Sequence, residues 1–384
     1  MTTWGDGWRW SGRARLGLVV VALGAGCGDN TAAPPAVTSG TRLKLGWYEY
    51  TDGTRQLRDG DLFDAELRAR CRVRPSVDAV LRCAPDTVGG PESQLAVLAS
   101  RVVALTSLVT EQAYTSDDGL YLPVAMVETE LDASCSMRSI SAEAVACPPS
   151  GFGGTVVYRD AACTEAALGE WPKVAVPRAV TAGPYCAPQA YAVGAPTGST
   201  PRYYQDEAGA CVDAPTTFTG FHELERRETL IFERIRVPSP GRRLEPVITM
   251  VGLREVPVEL FDTALGEECA PARRPGSGSE VVCVPQNVAR RVMTYYPDAT
   301  CTVVAPFAVV DLGARTTSCT RTPSFVRALS GAPTLFQRLG PAVAAYELVA
   351  GGCRLVADPS IAIHALGEPV PDDTWVHGLE VHDP

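Results

Sequence analysis

The chain has 384 residues and a formal charge of −10, with 46% apolar and 20% charged residues, 35 Gly and 31 Pro. Such a length allows one large core or two ordinary ones, and so many turn formers favour short β elements over long helices. The acidic balance excludes nucleic acid and anionic headgroups as natural partners, because the surface repels their phosphates.

At the N-terminus Arg9, Arg13 and Arg15 precede the apolar run Leu16 to Ala25, and Gly26, Cys27, Gly28 and Asp29 follow. A basic start, a short apolar run and small residues make a signal-peptide pattern, so residues 1–26 are expected to be removed. The run is about ten residues, too short for the roughly 20 that span a bilayer as a helix. Cleavage removes three arginines and Asp6, leaving 31 basic against 43 acidic residues, a charge of −12. The cysteine after small residues resembles the lipobox of bacterial lipoproteins, in which that Cys is diacylated. Cys27 is therefore the expected lipidation site and gives the chain its membrane partner. The sequence departs from that pattern at Gly24, where the family has an aliphatic residue, with Leu23 one place further out. Ordinary secretion, with Cys27 as a spare thiol, is the alternative. Residues 28–41, rich in Ala, Pro, Thr and Ser, read as a flexible tether.

Beyond the tether, residues 42–384 form a β-rich repeat region, with Asp52-Gly53 and Asp118-Gly119 as hairpin turns between strand-like runs. Helical exceptions are expected at Glu92 to Val109 and Pro323 to Phe336. With Cys27 set aside, twelve cysteines remain: Cys71, Cys83, Cys135, Cys147, Cys163, Cys186, Cys211, Cys269, Cys283, Cys301, Cys319 and Cys353. In an oxidising compartment they can make six bridges. None forms a CxxC, so zinc-ribbon and thioredoxin-type motifs do not arise.

Their surroundings repeat. Phe63-Asp64-Ala65-Glu66-Leu67 leads to Cys71, Val127-Glu128-Thr129-Glu130-Leu131 to Cys135, and Phe261-Asp262-Thr263-Ala264-Leu265 to Cys269. Each is followed by a second Cys, at 83, 147 and 283, with proline two residues on. Tyr-x-Asp-x-x-Cys occurs at Tyr158 to Cys163 and Tyr296 to Cys301. The pattern divides the region into a partial repeat, 42–110, and two full repeats, 111–240 and 241–384. Local pairing is expected for 71–83, 135–147, 163–186, 269–283 and 301–319, with Cys211 joined to Cys353 across the repeats. The expected fold is all-β, a disulfide-rich, β-propeller-like repeat array; tandem β-sandwich modules are the alternative.

This pattern resembles the lipoproteins of unknown function found in large numbers in myxobacteria, which share the Gly-Cys-Gly-Asp leader end, Phe-Asp-x-x-Leu-x-x-x-Cys and Tyr-x-Asp-x-x-Cys. The resemblance implies an outer-membrane or cell-surface location, with periplasmic or secreted as the alternative, and carries no activity with it.

Candidate chemistry is sparse. His377 and His382, with Glu380 and Asp383, would need a turn to converge on a metal, because residues five apart in a strand face opposite sides. His364 lies near them in sequence, and His222 in Phe221-His222-Glu223 lacks the second His of a zincin. Asp59, Asp61, Asp64 and Glu66, with Asp117, Asp118 and Asp160, have oxygens that would suit calcium, although acidic turns are common on solvated strands and no cofactor is expected. Glu128 and Glu130 share a strand face as a nominal glycosidase pair. The Gly-Ser run at 276–279 is a loop. The sequence therefore predicts a non-enzymatic scaffold that displays loops to an envelope protein or polysaccharide. A secreted hydrolase or lyase with loop carboxylates is the alternative.

Overall fold

The structure, a computed structural model, describes residues 35–384 apart from 77, 87–93, 152–153, 171–174, 183–185, 199–202, 206–210, 214–217, 274–277, 287, 290, 312–322, 328–335, 351 and 358–360. The expectations at residues 1–34, Cys27 included, and at Cys319 fall outside the described residues, as does Gly276-Ser277. Among the described residues the fold is all-β, with sheets of fourteen, seven, six, three and two strands. Four-stranded propeller blades are thus not how the strands pair. In place of the expected helices the described residues hold strands: Val97–Ala104 lies in the first segment, while Phe325–Arg327 and the start of Phe336–Ala342 lie in the second. In the first, the β-branched Val102-Val103 ladders with Gln112 and Glu111, while Val97 and Leu98 pair on the other edge, and this pairing overrides the helical tendency of the segment's Ala and Leu.

Three four-strand modules form the centre. The first runs through Leu43–Tyr50, Arg55–Asp64, Ala69–Pro75 and Leu81–Pro85. The second uses Val109–Thr115, Tyr121–Glu128, Ala133–Cys135 with Arg138–Ser139, and Ala144–Cys147. The third uses Leu244–Val251, Arg254–Asp262, Glu267–Arg273 and Glu280–Pro285. In each, the last hairpin is stapled by a disulfide: Cys71–Cys83, Cys135–Cys147 and Cys269–Cys283. Closing a loop of this size stabilises by about 3 kcal/mol on loop entropy alone. The strand Val109–Thr115 runs across the expected boundary at residues 110 and 111.

After its second cysteine each module is followed by a return strand, which pairs back on that module and then onto the first strand of another. Val97–Ala104 pairs with Leu81–Pro85 and then with Val109–Thr115. Leu230–Glu233, continued by Ile235–Arg236, pairs with Ala144–Cys147 and then with Leu244–Val251. Val376–His382 pairs with Glu280–Pro285 and then with Leu43–Tyr50. The pairing therefore comes back to the strand it started from, module one to two to three and again to one. Only the chain between second cysteine and return strand differs. It is a short link, 86–96, in the first module, whereas residues 151–229 and 286–375 build the seven- and six-stranded sheets in the other two. The partial repeat is the same module without the insertion.

The two inserted sheets share a second staple, and here the expected pairing is corrected: Cys163 joins Cys211 and Cys301 joins Cys353. The pairs 163–186, 301–319 and 211–353 do not form. Tyr158 pairs with Tyr203, and Tyr296 with Tyr346. Those pairings lay the hairpin carrying Cys211 or Cys353 on the turn carrying Cys163 or Cys301. Sequence proximity is overruled by strand pairing, and loops of 48 and 52 residues are closed instead of short ones. Cys163 and Cys301 take left-handed backbone, φ 54° and 50°, and their amides donate to the carbonyls of Asp160 and Asp298. Cys186 is also disulfide-bonded. Because the other described cysteines pair among themselves, its partner lies outside the described residues.

Candidate functional site

Polar groups concentrate where the modules meet. Asp52, in the hairpin turn of the first module, accepts the amides of Arg243 and Leu244 at 3.0 and 2.7 Å, and so clasps the start of the third. Asp118, in the turn of the second, accepts the amides of Arg42 and Leu43 at 2.6 and 2.9 Å and clasps the start of the first. The turn of the third module reaches the second by another route. Gly252, at φ +61°, lies so close to the Leu105 carbonyl that a Cβ there would sit 2.2 Å from the oxygen. Arg254 beside it grips Glu111, which is fully buried, at 2.8 and 2.9 Å. Tyr121 also donates to Glu111, at 2.6 Å. Burial, together with that carboxylate, pushes the Tyr121 hydroxyl up to about 12.

Within the first and third modules one arginine ties the start of the module to its end. Arg42 donates to both oxygens of Asp64 and to the Gln94 carbonyl. Arg243 does the same with Asp262 and the Thr374 carbonyl. Asp64 and Asp262 are fully buried, and each also accepts two amides of the following turn, from Glu66 and Leu67 or from Ala264 and Leu265. The second module is built on the same frame: Thr129 N donates to Leu108 O as Ala65 N does to Arg42 O and Thr263 N to Arg243 O. Leu108 thus stands where the others have arginine, and Glu128 where they have aspartate. Glu128 is 3% exposed, and its Oε2 has no hydrogen-bond partner. Burial, with the like charge of Glu130, pushes its pKa up.

The return strands carry two further ion clusters. Glu380 on Val376–His382 receives Arg273 of the third module at 2.7 Å, and Arg70 and Arg58 of the first at 2.8 and 3.4 Å. Burial pushes Glu380 up, but the hydrogen bonds from Arg273 and Arg70 outweigh it and hold the carboxyl below its ordinary value. Arg234 donates to Glu259 and Glu268 of the third module, each at 3.0 Å, and to Ser139 Oγ of the second. Burial raises the pKa of Glu259, against the opposing pull of Ser139 and Arg234.

Most carboxylates and histidines singled out from sequence are engaged in these contacts. His382 bonds Asp61 at 3.0 Å and stacks on Phe63. Burial lowers its pKa despite Asp61. His377 meets the Asp372 carbonyl, His364 the Gly340 carbonyl and His222 the Gly194 carbonyl, so the histidines do not converge. Asp61 also holds Arg58, Glu66 holds Arg42, and Asp160 accepts the amides of Thr164 and Glu165. The Asp59 side chain lies outside the described residues. Among the described residues no group of three or more His, Cys, Asp or Glu side chains is arranged to hold a metal. Sequence reasoning missed the arginines. The signal was the Arg-Leu pair, Arg42-Leu43 and Arg243-Leu244, standing ahead of both Phe-Asp motifs.

The model of a family of unknown function, DUF7481, matches residues 19–91 and 86–375. The chain belongs to this family. No curated protein and no solved structure matches it. In this DUF7481 member the disulfides indicate folding in an oxidising compartment outside the cytoplasm. No helix among the described residues is long and apolar enough to cross a membrane.

Proposed function

We propose that this protein is an exported, lipid-anchored cell-envelope scaffold that holds two inserted sheets out for recognition of an envelope protein or polysaccharide. The observation that carries the reading is the placing of the insertions. Both leave the central ring at the same point, just after the second cysteine of a stapled module, and both rejoin it in a return strand. A module without an insertion closes the same way, so the ring does not need the inserted sheets for its own pairing. Large surface additions on a rigid frame are the usual arrangement for binding elements. An open groove of about 600 Å3, lined by Ile140, Gln189, Arg226, Glu228 and Ile231 among others, lies where the first insertion rejoins the frame.

Anchoring follows from the leader: signal peptidase exposes Cys27, which is acylated and tethers the frame through residues 28–41. Metabolic labelling with an alkyne fatty acid should mark the wild-type chain and leave Cys27→Ser unlabelled; equal labelling of both would remove the anchor from the proposal. For recognition, a chain with residues 151–229 replaced by a short link copied from residues 86–96 should keep the ring and lose capture of the envelope ligand. Turnover of a polysaccharide by the wild-type chain would instead select the hydrolase or lyase reading, with its carboxylates in the loops.

A further inference from the structure

We propose that Glu128 is a receptor for an arginine side chain supplied by the partner protein, an inference that rests on the scaffold reading and names the contact it makes. Three equivalent positions exist in the ring. At two of them a buried aspartate is filled by a two-pronged guanidinium from its own module: Arg42 on Asp64 and Arg243 on Asp262. At the third the backbone frame is unchanged, as the matching amide-to-carbonyl bond from Thr129 to Leu108 shows. The arginine is replaced there by Leu108, which is 39% exposed, and the carboxylate is retained. A buried acidic oxygen without a donor is costly, and a neutral side chain would serve the ring better unless something arrives to meet the charge.

The sibling sites define the ligand. Parallel N–H bonds to both carboxylate oxygens suit a planar guanidinium, and an ammonium ion cannot reproduce them. The donor is not the tether, because residues 28–41 contain no Lys or Arg. The side of the module where the siblings' arginines also meet a carbonyl, just ahead of the return strand, is here marked by Glu228 and Thr229, which line the open groove.

The test uses the whole mature chain, with ethylguanidinium as the probe and ethylammonium as its control. The Glu128 carboxyl is followed by NMR against pH. An opposite charge within about 4–6 Å lowers a carboxyl pKa by roughly one to three units, so saturating ethylguanidinium should move the Glu128 midpoint down by about one pH unit or more. Ethylammonium should move it less. Leu108→Arg should produce the lowered midpoint without any probe and abolish the response to it. If that variant fails to fold, Glu128→Gln supplies the second arm through the thermal midpoint, which the probe should raise in the wild type and leave unchanged in the variant. A Glu128 titration indifferent to ethylguanidinium, or a thermal response retained in Glu128→Gln, would overturn the proposal. Partner capture that Glu128→Gln retains in full would also overturn it while leaving the scaffold reading intact. A response to the probe in a chain that captures no envelope partner would remove the scaffold reading and leave the guanidinium site.

Discussion

Replacing Asp52 with alanine tests whether the modules are energetically coupled or merely adjacent. Asp52 belongs to the first module but accepts the amides of Arg243 and Leu244 in the third, at 3.0 and 2.7 Å, and Leu244 is fully buried. Its other oxygen accepts the amide of Thr54 in its own turn. Hydrogen bonds to a charged acceptor contribute roughly 1.5–3 kcal/mol each, and a donor left buried without a partner loses about 1–3 kcal/mol. Asp52 is half-exposed, so the lower end applies, and losing both bonds to the third module should cost about 2–4 kcal/mol. Asp52→Asn keeps one accepting oxygen and should lose about half as much. Hydrogen exchange followed by mass spectrometry, on the disulfide-intact chain, reads the effect at peptides spanning 242–251. At about 1.4 kcal/mol per tenfold, the alanine variant should exchange there some 30- to 1000-fold faster, with the Leu43 region unchanged. Loss of protection confined to the Asp52 turn, with Leu244 as slow as in the wild type, would show that the clasp holds nothing across the joint.

Three further outcomes follow from the same geometry. Asp118 is a depressed carboxyl: burial raises it, but bonds from Ser116 and from the amides of Leu43 and Arg42 prevail. Its contribution is therefore present above the unfolded value of about 4 and is lost as pH falls below that; an acid titration of Asp118→Asn should show a smaller loss in that window than the wild type. Glu128 has the opposite sign, because its folded pKa is raised and its charge opposes folding once pH climbs past the unfolded value. Glu128→Gln should stabilise the chain at pH 7 and make no difference near pH 4, as read by urea midpoints. A non-reducing peptide map should join Cys186 to Cys319, because ten cysteines are paired elsewhere and Cys27 is the only other one left; a bridge from Cys186 to Cys27 would refute acylation and this assignment together.

How much of this was legible depends on the range of the interaction. The short staples, such as Cys71–Cys83, close hairpins whose sequence signals are local: a Phe-Asp turn, then two cysteines a dozen residues apart. The all-β class follows in the same way from turn formers and short apolar runs. The pairing of Cys163 with Cys211 was not legible, because it is decided by the register of Tyr158 on Tyr203, and register between distant strands leaves no local mark. The segment 97–104 was misread for a related reason. Val97 and Val102 are exposed and Leu98 is the one buried residue of the strand, so the alternation that identifies half-buried strands is missing. At the polar joints, acidic residues drew attention as metal or catalytic candidates, yet their meaning depended on arginines some twenty residues away in sequence or on another module.

The two return-strand clusters also bear on how a ring of like modules finds one arrangement. At the joint between the third and first modules the return strand brings an acid, Glu380, to the arginines Arg273, Arg70 and Arg58. At the joint between the second and third it brings a base, Arg234, to the acids Glu259 and Glu268. The equivalence is positional: Arg70 and Glu268 each immediately precede the first cysteine of their module, while Arg273 and Ser139 each lie four residues beyond it. If Val376–His382 docked in place of Leu230–Arg236, Glu380 would face Glu259 and Glu268 in a buried site, and Arg234 in the reciprocal error would face three arginines. Like charges buried together around Glu259 and Glu268 cost several kcal/mol, a large share of the net stability of a whole domain, whereas solvent screens the repulsion at the partly exposed Arg70 and Arg273. The pairs need not make the correct ring more stable than an apolar joint would. They make the exchanged ring untenable, and that discrimination is what three copies of one hairpin frame in a single chain require.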